Sequence, residues 1–307
     1  MLGALLWCWS VPAAEPSARP PASGDELRYW LDNMFTYHRF SVAEARASTG
    51  LSENEIDAAL RKFGIPGGAR SKRKPGEKLL VLPYPGARHP RIGFLEGAVD
   101  PQRETKVSIF TPWDENSYVV ADLPEALWSN LGLTYLAHTH VPTLWTKQNV
   151  SLPRLEWNRN LDGTYDFERR LPNGIVFGTR VVPTTNAVRM EMWLKNGTAN
   201  TLRDLRVQNC VMLKGARGFT AQTNANKILA KPYAACRSAE GTRWVITAWE
   251  ACERAWANAP VPCLHSDPRF PDCPAGETRR LRGWISFYEG DDVEGEFRRI
   301  DRETGFR

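Results

Sequence analysis

The chain is expected to fold as a mainly β protein, a large two-sheet antiparallel β-sandwich preceded by a small helical segment. Three observations lead there. From Leu79 onward the apolar residues fall in short runs of Val, Ile, Leu, Phe and Trp separated by Pro, Gly and Asn, which is how strands alternate with tight turns. Ten such runs over about 220 residues call for two large sheets rather than a small seven-stranded sandwich. Helical spacing of apolar residues is confined to residues 25–63, so helix precedes the frame and does not build it.

Residues 1–23 come first. Residues 2–11 are strongly apolar and are followed by Pro12-Ala13-Ala14 and a Pro/Ala/Ser stretch, the pattern of a secretory leader with a small-residue cleavage zone, although the usual cationic start is missing. The segment is too short to span a membrane. Trp7 stands before Cys8 where a lipoprotein signal needs a small residue. The expected location is secreted or periplasmic, with no integral membrane association.

Residues 24–66 form the helical segment. Leu27, Trp30, Leu31, Met34 and Phe35 recur at helical spacing, as do Ile56, Ala59, Leu60 and Phe63. Ser41 with Glu44 and Ser52 with Glu55 have the S-x-x-E form of a capping box, which marks two helix starts. With the turn at Thr49-Gly50-Leu51, residues 40–65 resemble the helix-turn-helix family of small DNA-binding units. The reading helix of such a unit would here carry Glu53, Glu55 and Asp57, and these repel phosphates. A helical cap or docking bundle is the better expectation. Residues 67–78 are a basic linker, with Arg70 to Lys74 set between Gly67-Gly68 and Pro75-Gly76.

Residues 79–307 make up the β domain. Candidate strands are 79–82, 106–110, 118–121, 134–140, 166–170, 175–182, 188–195, 205–213, 243–249 and 281–288, with a short helix expected at 124–131. The run 188–195 alternates most cleanly. Val188, Met190, Met192 and Leu194 share one face, while Arg189, Glu191, Trp193 and Lys195 share the other, so one face is core and the other is either ligand-facing or plain exterior. Asn196-Gly197-Thr198 makes the following turn and is formally a glycosylation sequon.

Composition excludes several classes. At 42% hydrophobic and 24% charged the chain is neither disordered nor fibrous. A net charge of +5 over 307 residues is mild, and its dense basic run lies in a linker, so no nucleic-acid partner is expected. The twelve tryptophans are the unusual feature; indole fills a thick core or stacks on sugar rings. Without the leader, Cys210, Cys236, Cys252, Cys263 and Cys273 remain. In an exported chain, Cys263 and Cys273 closing a Pro-rich loop are the preferred disulfide, and Cys210 is expected as a buried thiol. There is no CxxC, which disfavours a zinc knuckle.

Three polar clusters are candidate sites. His138 and His140 alternate on a predicted strand, which puts both imidazoles on one face. Gly132 followed by His138-Thr139-His140 resembles the first half of the cupin metal motif, but the Glu required next is Leu144 or Trp145 here and the second motif is missing. Arg88 and His89, with Arg103 close by, fit carboxylate or sulfate recognition. Residues 260–276 form a Pro-rich segment presenting His265 and Asp267. If that segment folds back over the sheet, His138, His140 and His265 could bind a divalent metal such as zinc, with Asp267 as ligand, orienter or base. Without metal, the same histidines and carboxylate suit acid/base chemistry, with Arg159 or Arg88 stabilising developing charge. Trp145 and Trp157 bracket the histidine stretch as candidate stacking platforms.

The 196–198 turn between strands, together with Pro274-Ala275-Gly276-Glu277-Thr278 leading into 283–288, resembles the galactose mutarotase-like supersandwich, a fold of sugar epimerases and of domains in polysaccharide-processing enzymes. The segments Ala137-His138-Thr139-His140, Leu171 to Gly174, Gln208 to Gly215 and Cys263 to Pro268 are similar to those of an uncharacterised family of exported bacterial proteins. The resemblance implies a carbohydrate-active lyase, epimerase or hydrolase with a sugar or polysaccharide ligand. The alternative is a non-catalytic glycan-binding or surface-interaction protein.

Overall fold

A computed structural model describes residues 18–65, 73–86, 103–138 and 141–306. Three helices open the chain: α1 (Gly24–Asp32), α2 (Val42–Thr49) and α3 (Glu53–Phe63). The first strands are β1 (Val81–Pro83), β2 (Lys106–Phe110), β3 (Tyr118–Ser129), β4 (Gly132–Leu136) and β5 (Asn158–Arg159). Next come β6 (Tyr165–Arg170), β7 (Val176–Pro183), β8 (Ala187–Lys195), β9 (Val207–Met212) and β10 (Lys227–Ala230). The series ends with β11 (Tyr233–Arg237), β12 (Arg243–Trp249), β13 (Cys252–Trp256), β14 (Cys263–Pro268) and β15 (Thr278–Glu289), and a last helix, α4 (Val293–Thr304), follows.

The strands form two antiparallel sheets. One has seven strands in the order β1-β2-β3-β9-β14-β13, with β4 also paired to β3; the other has eight, β10-β11-β12-β15-β8-β7-β6-β5. The fold is a large β-sandwich with a small helical segment, as the runs of short apolar strands predict.

Strand alternation explains the layers. In β8, Val188, Met190, Met192 and Leu194 point into the core between the sheets, where they meet Val119, Ala121, Val207 and Val211 from the facing sheet. The other face of β8 is exterior: Glu191 pairs with Arg280, Arg189 reaches Glu303 of α4, and the Trp193 indole donates to Glu168. Each large side chain withdrawn from water here contributes roughly 1.5–3 kcal/mol.

Both sheets are also covered on their outer faces. The N-terminal helices lay Trp30, Leu31, Met34, Ile56 and Ala59 on Phe110, Tyr118, Val120 and Met212 of the seven-stranded sheet. Both predicted capping boxes form, at Ser41 with Glu44 and Ser52 with Glu55. Helix α4 covers the other sheet, with Phe297 stacked on Tyr233 at 4.2 Å. No expectation from sequence included α4.

Two local expectations are corrected. Most of the helix expected at 124–131 is the second half of β3, where Leu127 enters the core and the register shift between Asp122 and Ala126 breaks the strand alternation. The segment 260–276 is no disulfide-closed loop. Its first half is β14, paired to β9 in the sheet, and Cys263 and Cys273 are both free thiols. Cys273 lies against Leu202 at the far end of the segment, while Cys263 lies on the sheet beside Cys210.

Candidate active site

The site lies on the outer face of the seven-stranded sheet, at the edge of the helical cover. Because side chains alternate along a strand, Gln208, Cys210 and Met212 of β9 share this face while Val207 and Val211 enter the core. Cys263 and His265 of β14 do the same around the inward Leu264. The pairing of β3 with β9 shifts register between Asp122 and Ala126. Pro124 falls inside that shift and has no N–H for the ladder, and the bulge aims Glu125 at the pocket. His138, two residues beyond β4, meets it there. A cavity of about 120 Å³ results, also lined by Trp256 and by Asn258 and Val261 from the loop between β13 and β14.

Glu125 is the hub. Its Oε1 accepts from Nε2 of His138 at 2.8 Å, and its Oε2 accepts from Nε2 of Gln208 at 2.7 Å. The same Oε2 lies 4.0 Å from Nδ1 of His265. Burial pushes the Glu125 carboxyl up, but the hydrogen bond from His138 and the charge of His265 outweigh it and hold the group at about 2. It is therefore a carboxylate at any physiological pH.

His265 is buried, with the Trp256 indole flat against it at 3.9 Å. Its Nε2 lies 3.2 Å from Sγ of Cys263. Burial works against its cationic form, yet its neighbours Cys263, Glu125 and Asp267 raise its pKa overall. The Cys263 thiol is pulled below its ordinary range by a hydrogen bond from Cys210 and by His265, and Cys210 is pushed up in return. Cys210, Cys263 and His265 place one ligand atom each within 4.8 Å of one another, a group that could hold a metal ion. Lys106 and Asp122 close the far wall as a buried ion pair at 3.0 Å.

The structure sorts the residues expected from sequence. His138 and His265 come together, through Glu125. Asp267 lies next to them, but its Oδ2 is held by the Trp256 indole at 2.6 Å and by Arg254 at 3.0 Å, and its Oδ1 accepts from the Asn209 amide. It ties β13 and β9 to β14 within the sheet. Arg88, His89 and His140, and with His140 the three-histidine set, lie outside the described residues.

Four others are placed elsewhere. Arg103 is buried, paired with Glu156 and set over the Trp30 ring at 3.9 Å, so it fixes the helical segment to the sandwich. Arg159 lies over Tyr29 of α1 at 3.7 Å and acts in the same way. Trp145 and Trp157 belong to the core, 4% exposed each, with indole N–H groups donated to the carbonyls of Thr134 and Lys106. This corrects their expected role as stacking platforms.

Sequence reasoning missed Glu125, Gln208, Cys210 and Cys263 as site residues. One signal was available. Cys263, His265 and Asp267 alternate, as on one strand face, but the prolines around them suggested a loop.

No family model and no curated protein matches the chain. Solved structures similar to it include a Salmonella typhimurium protein described provisionally as a mutarotase, 12% identical, covering 62% of this chain and 90% of its own, with a TM-score of 0.32. The Slr1438 protein of Synechocystis sp. PCC 6803 is 10% identical over 63% of this chain and 89% of its own, at 0.34. A mutant heparan sulfate lyase HepC from Pedobacter heparinus is 8% identical over 61% of this chain, at 0.32; the chain spans 34% of that lyase's length. At these scores the likeness assigns neither a family nor an activity.

Proposed function

We propose that this chain is an exported, secreted or periplasmic, enzyme that acts on a sugar or acidic glycan by proton transfer at His138, oriented by Glu125 beside His265. The observation that carries the reading is the ionised Glu125 between two histidines from distant parts of the sequence, at a cavity on the sheet face. A carboxylate on one imidazole nitrogen fixes the tautomer and stabilises the imidazolium, so the other nitrogen can take and return a proton. His138 is the proton-transferring group in this scheme and Glu125 its orienter, with the carboxylate's other oxygen 4.0 Å from Nδ1 of His265. Such a pair abstracts a proton next to a carbonyl or a uronate carboxylate, or opens a sugar ring, as lyases and epimerases do.

The wall chemistry supports a hydroxylated substrate. Lys106, Gln208 and Asn258 supply donors, Asp122 and Glu125 supply acceptors, and Trp256 adds an aromatic surface. Hydroxyl-rich ligands need both kinds of partner beside an apolar face. The roles of Glu125 and His138 are the same whether or not a divalent metal such as zinc also binds.

The test is turnover of a panel of acidic and neutral glycans by the native chain and by Glu125→Gln and His138→Asn. Product formed by the native chain and lost in both variants supports the enzyme. Binding without turnover by the native chain indicates the alternative, a glycan-binding module.

A further inference from the structure

We propose that Cys210, Cys263 and His265 are three ligands of a zinc-class metal ion, with the fourth position left to water or a substrate atom in the cavity. The proposal deepens the functional reading of the same pocket. It rests on that reading only for the use of the metal, not for its binding.

Geometry is the first support. Tetrahedral zinc with a sulfur ligand at ≈ 2.3 Å and a nitrogen ligand at ≈ 2.0–2.1 Å holds the two atoms about 3.6 Å apart. Sγ of Cys263 and Nε2 of His265 are 3.2 Å apart, and all three ligand atoms lie within 4.8 Å of one another. The scaffold is rigid. Cys263 and His265 are two residues apart on β14, and β9 pairs with it so that Cys263 faces Met212 and Leu264 faces Val211. Continuing that register brings Cys210 beside His265.

The surroundings of His265 are the second support. Its Nδ1 is buried without a hydrogen bond, 4.0 Å from carboxylate oxygens of both Glu125 and Asp267. An imidazole bound to metal through one nitrogen almost always has a carboxylate, carbonyl or water at the other, which fixes the ring. Two such carboxylates stand ready here.

Ligand type selects the metal. Thiolate and imidazole favour zinc-class ions over magnesium or calcium, which take oxygen. Three protein ligands in place of four leave the open position found in catalytic zinc sites.

The experiment purifies the native chain after expression with added zinc and under mild reductant, and measures zinc by elemental analysis. About one zinc per chain is expected, falling to background in Cys210→Ser, Cys263→Ser and His265→Ala and retained in His138→Asn. Cobalt loaded into the native chain should show thiolate-to-metal charge-transfer absorption, a readout that needs no variant to fold. Zinc below about a tenth of an equivalent, or a cobalt spectrum without thiolate bands, would overturn the proposal. So would a Cys210–Cys263 disulfide mapped in never-reduced protein. Because His138→Asn removes turnover but not zinc, failure of the metal proposal and failure of the acid/base reading give different results.

Discussion

Glu125 and His138 face each other at 2.8 Å from either side of the turn between β3 and β4, and the same carboxylate carries Gln208 on its other oxygen. A group held this way orients a base and does not itself react. Glu125→Gln keeps the shape and removes the charge, so kcat should fall about 10²–10⁴-fold while substrate affinity changes little. Steady-state kinetics on the substrate found by the glycan panel checks this. An unchanged kcat would remove Glu125 from the reaction.

Tryptophans at different depths should respond differently to truncation. Trp145 and Trp157 are buried and donate inward, so Trp145→Ala or Trp157→Ala should cost about 3–5 kcal/mol of stability, in the range of large-to-small core changes. Trp256 is half-buried and lines the cavity. Trp256→Ala should cost less in denaturant unfolding and more in ligand affinity. The reverse order would restore the two core indoles as candidate ligand surfaces.

The capping box at α3 predicts a pH effect of known sign. Oε2 of Glu55 accepts from the Ser52 hydroxyl at 2.7 Å and from its amide at 2.8 Å, and these bonds hold the carboxyl below its ordinary value. A lowered folded-state pKa means that the contribution is fully present above the unfolded value and is lost as pH falls through the folded one. An NMR titration should show Glu55 below a normal glutamate in the native chain, and closer to the normal value in Ser52→Ala, which loses the hydroxyl donor and keeps the amide. No difference between the two would mean that the box does not form in solution.

An aromatic stack anchors helix α4 to the eight-stranded sheet beside the buried Val293 and Ile300. Phe297 lies parallel to Tyr233, whose hydroxyl donates to the Phe297 carbonyl and to Asp301. Phe297→Ala should destabilise the chain by about 3–5 kcal/mol and speed amide exchange in 293–304 ahead of the strands. Unchanged exchange there would place the helix's anchorage elsewhere.

The cleanest reading from sequence was β8, because a sheet with a core on one side and solvent on the other writes an alternation that can be counted. β3 was half misread as helix for the opposite reason. The register shift between Asp122 and Ala126 breaks the alternation, and Pro124 inside it looks like a helix start. The site shows the same division. His138, His265 and Asp267 stood out as rare polar residues near apolar runs, whereas Glu125 is one of many glutamates and gains its role only from the bulge that turns it inward.

The sequence alone determined the class of fold, the helical prelude with its two capped starts, and the residue types from which a site could be made, because these depend on local periodicity and side-chain chemistry. Tertiary structure decided which of those residues meet. Bringing β9, β14 and the β3 bulge side by side joins residues up to 140 positions apart, Glu125 to His265, and such pairings are set by sheet order and register, which no local pattern records. The same pairing turned a supposed disulfide loop into a strand carrying a thiol and an imidazole on one face.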